Sequence, residues 1–197
     1  MRRGPILWHL PKIAIIRTFL SGVFAHDWAR RTRRITDGNR GRTADPNHIL
    51  GHGYQAEISA RFGADLYDRH LVFMNRGVSG DTVARLQRRW QTDTIALHPD
   101  VLSILIGVND LGSGVPADRF EQQYDQLLAD TLKALPNVKL VLGEPFGLPV
   151  GGKKANWDNY RKDLEVRQAI VQKLADKYHC PCVHYQKMFD EAARRAH

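Results

Sequence analysis

The sequence has few cysteines and no long apolar run, and both absences narrow the class of protein. Only Cys180 and Cys182 are present among the 197 residues, separated by a single proline. A disulfide across so short a spacing would be strained, so we expect two reduced thiols. No run of about 18 uninterrupted apolar residues occurs, so no membrane span is expected. We therefore expect a globular domain in the cytoplasm.

Basic residues are concentrated at the amino terminus. The net charge is +8, and residues 1–34 alone carry +7 of it. Because the remaining chain is nearly neutral, it offers no basic stripe for phosphates, and we expect no nucleic-acid partner. Lys12 and Arg17 interrupt the apolar stretch that a signal peptide needs, although a transit-like segment is an alternative. We interpret residues 1–34 as a basic tail of doubtful structure.

Strand and helix patterns alternate from residue 53 onward. Short apolar runs predict strands at 71–74, 101–106, 138–142 and 182–185. Helical spacing of apolar residues predicts helices at 54–62 and 82–96, one beginning at Pro116, one around 157–178 and one from 186 to the end. This alternation predicts one α/β domain, a three-layer α/β/α structure with a flavodoxin-like parallel sheet. In such sheets ligands bind beyond the carboxyl ends of the strands, around Gly77, Asn109 and Glu144 here.

Two of these loops contain residue types suited to stabilising negative charge. The segment 75–82 contains Gly77 and Gly80 and leads into a helix amino terminus, so its backbone can approach a bound group. Asn109 follows a buried strand and can donate a hydrogen bond to a developing oxyanion. Each segment also has a structural interpretation, as a strand-to-helix turn or as a turn formed by Asn109 and Asp110.

Taken together, the two segments resemble the second and third sequence blocks of the SGNH (GDSL-type) hydrolases. Ile35-Thr36-Asp37 resembles the back half of the first block, and Glu144-Pro145-Phe146 matches many bacterial members. The resemblance implies the SGNH hydrolase fold and hydrolysis of carboxylic esters through a serine acyl-enzyme. It also implies an oxyanion hole made by the Gly77 backbone N–H and the Asn109 side chain. We expect these two groups to face a shared hollow from strands that lie side by side.

The same resemblance implies the binding partners. The substrate would be a small-molecule, carbohydrate or lipid ester, and no metal or organic cofactor is required. The oligomeric state stays open.

The sequence departs from this family at both ends. The alignment of the first block places Arg34 at the position of the nucleophilic serine, and a protonated guanidinium cannot attack an ester. Residues 25–31 lack the strand pattern that precedes this block in the family. The family's Asp-x-x-His is not found, because Asp190 and His197 have the wrong spacing. We therefore expect little or no esterase activity.

Two hypotheses explain these departures. Residues 1–34 could result from out-of-frame reading, with a truncated carboxyl end, which leaves a domain at 35–197 that is incomplete at both ends. Alternatively, the chain is a pseudoenzyme, a non-catalytic binding protein for acylated sugars or lipids. Resequencing the locus distinguishes the two. A flavin- or nucleotide-binding domain is a third possibility, but it lacks a phosphate-cradling motif.

Other candidate residues have weaker support. Ser79 lacks the second glycine of a nucleophile elbow, and we interpret it as a turn residue; Ser21 and Thr32 have less support still. Cys180, Cys182 and His184 are metal-ligand types that would share one face of a strand. Because no second ligand pair is visible, we interpret the cysteines as apolar residues of a short buried strand and expect no metal site.

Overall fold

The computed structural model describes residues 12–16, 37–42 and 48–195, with backbone alone for residues 12–16. The strands in these ranges are β1 (Lys12–Ile16), β2 (Val72–Asn75), β3 (Val101–Leu105), β4 (Lys139–Gly143) and β5 (Cys182–Val183). The helices are α1 (Tyr54–Asp65), α2 (Val83–Asp93), α3 (Val108–Gly112), α4 (Ala117–Ala134), α5 (Trp157–Lys177) and α6 (Tyr185–Arg195). Short 3₁₀ turns occupy Tyr67–Arg69, Ile95–Leu97 and Gly151–Asn156.

The five strands form one parallel sheet in the order β2-β1-β3-β4-β5. This order and the alternating helices confirm the predicted flavodoxin-like α/β fold. The strands predicted after residue 70 and the long helices all occur, with ends that differ by a few residues.

The central strand β1 was not predicted from the sequence. Its backbone pairs with both β2 and β3, so that Ile13 lies opposite Phe73 and Val101. Its apolar run, residues 13–16, lies between Lys12 and Arg17, which we interpret from the sequence only as interrupting the apolar stretch of a signal peptide. The strand lies within the predicted basic tail, whose other residues are outside the described ranges. The domain boundary after residue 34 stays a prediction.

Helices cover both faces of the sheet and produce the three layers. The larger core lies between one face of β3 and β4 and the helices α2, α4 and α5. Leu102, Ile104 and Leu142 are fully buried there. On the other face, Leu105 packs with Tyr185 and Phe189 of α6, and Phe73 packs with Tyr54 of α1. Because successive side chains of a strand point to opposite faces, the continuous apolar run of β3 contributes to both cores.

Candidate active site

The loops that contain Gly77 and Asn109 lie on either side of the carboxyl end of β1. Gly77 follows β2, and Asn109 lies in α3 just beyond β3. The expectation that their strands lie side by side was wrong, because β1 pairs between β2 and β3. The sequence did not reveal this arrangement because β1 itself was missed. The two loops therefore flank the central strand.

The amide of Gly77 is already engaged within its own loop. Its N–H donates to Asn75 Oδ1 at 2.9 Å, and its carbonyl oxygen accepts from Arg40 Nε at 3.0 Å. The Asn75 side chain in turn donates to Leu50 O at 2.8 Å. Because a backbone N–H has one hydrogen, Gly77 would have to weaken its bond to Asn75 in order to bind an oxyanion.

Gly80, three residues further along, presents an amide without such a partner. Its N–H donates no hydrogen bond within the described part of the chain, and the residue is only partly buried. Its φ of +85° lies in the left-handed region, which favours glycine. Among the described residues, a Cβ at this position would meet Arg85 Nη1 alone, at 4.0 Å. Gly77 and Gly80 both lie in the segment identified from the sequence, in which Gly77 is the predicted donor.

Asn109 and Asp110 attach the start of α3 to this loop. Asn109 Nδ2 donates to Asp81 O at 2.9 Å, next to Gly80. That bond uses one of the two hydrogens of the carboxamide nitrogen. The fully buried Asp110 accepts from Val83 N at 3.0 Å and so caps α2. The predicted turn at these residues is thus a short helix, and Asn109 lies against the glycine loop.

The remnant of the first sequence block lies under the same loop. The buried Asp37 side chain accepts from Ser79 N at 3.3 Å and pairs with Arg42 at 2.7 Å. Asp81 N donates to Val78 O at 3.4 Å, which closes a turn around Ser79. Segments that are about forty residues apart in the sequence therefore meet at one place.

A histidine–carboxylate pair lies further along the same edge of the sheet. Glu144 follows β4 and His184 follows β5, and Glu144 Oε2 lies 3.0 Å from His184 Nδ1. The other Glu144 oxygen accepts from Gln186 N at 2.9 Å, in the first turn of α6. Glu144 is nearly buried, whereas the His184 side chain is 57% exposed. The sequence analysis pointed to the Glu144 loop but did not pair Glu144 with His184.

Of the remaining sequence candidates for the triad, Asp190 lies within the described residues. Arg34, Ser21, Thr32 and His197 lie outside the described residues. Asp190, on α6, accepts from Gln186 Nε2 at 2.7 Å and pairs with Arg161 of α5 at 3.3 Å. The absence of a nucleophile and of a catalytic histidine stays a prediction from the sequence.

The two cysteines are packed as apolar groups. Cys180 and Cys182 are free thiols that lie against the larger core, and burial raises the pKa of each to about 11. Burial also raises the pKa of the neighbouring Tyr185 to about 12.

No group of three or more His, Cys, Asp or Glu side chains suited to a metal occurs among residues 37–42 and 48–195. Over the same residues, no helix has the length and apolarity to cross a membrane.

Comparison with known proteins identifies the family. The profile of the GDSL-like Lipase/Acylhydrolase family matches residues 22–197. An acetylxylan esterase of Geobacillus stearothermophilus is 30% identical over 170 residues, which are 81% of this chain and 76% of that protein. The chain therefore belongs to the GDSL-like lipase/acylhydrolase family, and the resemblance seen in the sequence is confirmed.

Solved structures agree with this assignment. A GDSL-like protein from Parabacteroides merdae matches with a TM-score of 0.80 and 28% identity, over 95% of this chain and 83% of that one. The acetylxylan esterase from Geobacillus stearothermophilus matches with a TM-score of 0.74 and 26% identity, over 93% and 80%. Two structures of that esterase are described as catalytic mutants, one with a serine and one with a histidine changed to alanine.

Proposed function

We propose that this chain is a carboxylic ester hydrolase whose oxyanion hole is made by the Gly80 amide and the Asn109 carboxamide, and whose turnover is low. The observation that carries the proposal is the bond from Asn109 to Asp81 O, which holds a donor side chain near the Gly80 amide, an N–H that has no acceptor among the described residues. Gly80 replaces Gly77 because the Gly77 amide is bonded to Asn75.

These donors would act on the negative charge that develops during ester hydrolysis. Without an enzyme nucleophile, water would attack the carbonyl carbon, and the carbonyl oxygen would become an oxyanion. Preorganised N–H donors stabilise this oxyanion more than the neutral ester, and its collapse expels the alcohol and leaves the acid. Removal of one such donor typically costs about 100- to 1,000-fold in rate. An oxyanion hole without a serine nucleophile supplies only a small part of the rate acceleration of a complete enzyme of this type. The alignment of Arg34 with the serine position is the reason to expect low turnover.

We further propose that the substrate is an acetylated carbohydrate. The support is the relatedness to the Geobacillus acetylxylan esterase, at 30% identity over most of both chains. The competing proposal is a non-catalytic protein that binds acylated sugars or lipids. The alignment of Arg34 with the serine position supports this proposal as much as it supports low turnover.

Hydrolysis of p-nitrophenyl acetate by the full chain tests the catalytic proposal. We expect a slow rate above buffer that Asn109→Ala abolishes and that Asn159→Ala, an exposed asparagine on α5, leaves unchanged. A serine-directed phosphonate should have no effect. Fast turnover that the phosphonate blocks would contradict the assignment of Arg34 to the nucleophile position.

Calorimetry with an acetylated xylo-oligosaccharide separates the two proposals. Binding without release of acetate would support the non-catalytic protein. Neither binding nor hydrolysis of any acetyl ester would contradict both proposals.

A further inference from the structure

A cavity lined by arginines lies beside the edge strand β2. It has a volume of about 260 Å³, and its walls include Arg40, Arg42 and Arg76 together with the apolar side chains of Ile49, Phe73 and Met74. The cavity is partly open to solvent, because the side chains of Arg42 and Ile49 are about half exposed. No carboxylate belongs to the walls that the described residues provide.

The three guanidinium groups differ in how many of their N–H groups have a hydrogen-bond acceptor. Arg40 Nε donates to Gly77 O at 3.0 Å. Arg42 donates to Asp37 Oδ2 at 2.7 Å and to Arg40 O at 3.3 Å. Arg76 Nε is buried and meets no acceptor among residues 37–42 and 48–195. A buried donor without an acceptor is costly, so Arg76 has an unmet demand for a hydrogen-bond acceptor within the described part of the chain. Because Nε itself is closed to solvent, a group in the cavity would have to contact arginine atoms other than this one.

Nearby carboxylates do not meet this demand. Asp37 is paired with Arg42. Asp81 and Asp93 are both paired with Arg89 on α2. Arg40 and Arg76 therefore face the cavity without a carboxylate partner of their own among the described residues.

The charges around the cavity repel one another. Burial lowers the pKa of Arg40, and the neighbouring charges of Arg42 and Arg76 lower it further, while the charges of Asp37 and Asp93 oppose them. A guanidinium nevertheless stays protonated in proteins, so this repulsion persists. A bound oxyanion would relieve the repulsion and would accept from the planar, fork-like donors of arginine.

We infer that this cavity is a binding site for the carboxylate or phosphate group of a small molecule. The site adjoins the loop that contains Gly77 and Gly80, because Arg76 directly precedes Gly77 and Arg40 Nε donates to the carbonyl oxygen of Gly77. It goes beyond the proposed function, since it requires no ester hydrolysis.

Calorimetric titration of the full chain at constant ionic strength tests the inference, with inorganic phosphate and D-glucuronate as separate probes. We expect at least one probe to bind, and Arg76→Gln to weaken that binding by about 10- to 100-fold, which corresponds to loss of a charge-assisted hydrogen bond. Arg69→Gln is the matched control, because it removes the same charge from an exposed arginine. It should change the affinity less than about 2-fold, as expected for a screened surface charge.

The outcomes decide both the inference and the ligand. Binding of phosphate alone assigns a phosphate site, and binding of glucuronate alone assigns a carboxylate site. If Arg76→Gln does not fold, Arg42→Gln, at a half-exposed side chain, replaces it with the same expected loss. The absence of binding by either probe, or equal weakening by Arg69→Gln, would overturn the inference.

Discussion

Asn109 and Asp110 hold the same neighbouring segment by two different bonds. Asn109 donates to the carbonyl of Asp81, and Asp110 accepts from the amide of Val83. The loop before α2 and the first residue of that helix are thereby attached to the end of β3. Adjacent residues thus position the candidate donor and stabilise the element that it contacts.

Replacement of Asp110 by alanine should destabilise the fold. The change leaves the buried Val83 N–H without an acceptor, for which we expect a loss of about 1–3 kcal/mol in the free energy of unfolding. Urea denaturation monitored by circular dichroism measures it. Asp110→Asn, which keeps an oxygen at the same place, should recover part of the loss. Asp118→Ala, at an exposed acid in the first turn of α4, should cost less than about 1 kcal/mol.

The junction between β3 and α3 depends on its glycine. Gly107 has a φ of +120°, and a Cβ there would lie 3.2 Å from both Phe120 and Pro145. The residue therefore combines a conformation that L side chains rarely adopt with close contacts to two neighbouring elements. This geometry sets the start of α3 and hence the position of Asn109.

Gly107→Ala should lower stability by about 1–3 kcal/mol, because a non-glycine residue is strained at this φ. Gly63→Ala is the matched comparison. Gly63 lies inside α1 with no atom within 4 Å of an added Cβ, so we expect a gain of about 0.5–1 kcal/mol. Thermal denaturation of both variants measures the difference. A Gly107→Ala protein as stable as the parent would contradict the strain at this junction.

At the scale of the whole molecule, the sheet depends on its central strand. β1 pairs with β2 on one side and β3 on the other, so its removal would expose two strand edges and separate β2 from the rest of the sheet. The loops of Gly80 and Asn109 would then lose the strand that lies between them.

A shortened chain that begins at residue 35 should therefore lose the cooperative thermal transition of the full chain. Circular dichroism and size-exclusion chromatography of the two chains measure the effect. An unchanged melting temperature would show that the domain begins at residue 35, as the sequence analysis predicted, and that β1 is dispensable.

The sequence by itself determined the fold class and the family. Apolar runs in β3 and β4, the helical spacing in α4 and α5, and the segments around Gly77 and Asn109 are local patterns, and local patterns can be recognised without coordinates. The apolar run at β1, residues 13–16, is as long as the run from which β2 was predicted, but it was missed because it lies within a segment interpreted as a basic tail.

Only the tertiary structure decided which groups meet. The choice between Gly77 and Gly80 depends on the bond from Gly77 N to Asn75 Oδ1, and the pairing of Glu144 with His184 depends on β4 and β5 being neighbours. The arginine-lined cavity brings together Arg42 and Arg76, which are far apart in the chain. Such contacts arise from the packing of the sheet and its loops, because hydrogen bonds and charge act through space and not along the sequence.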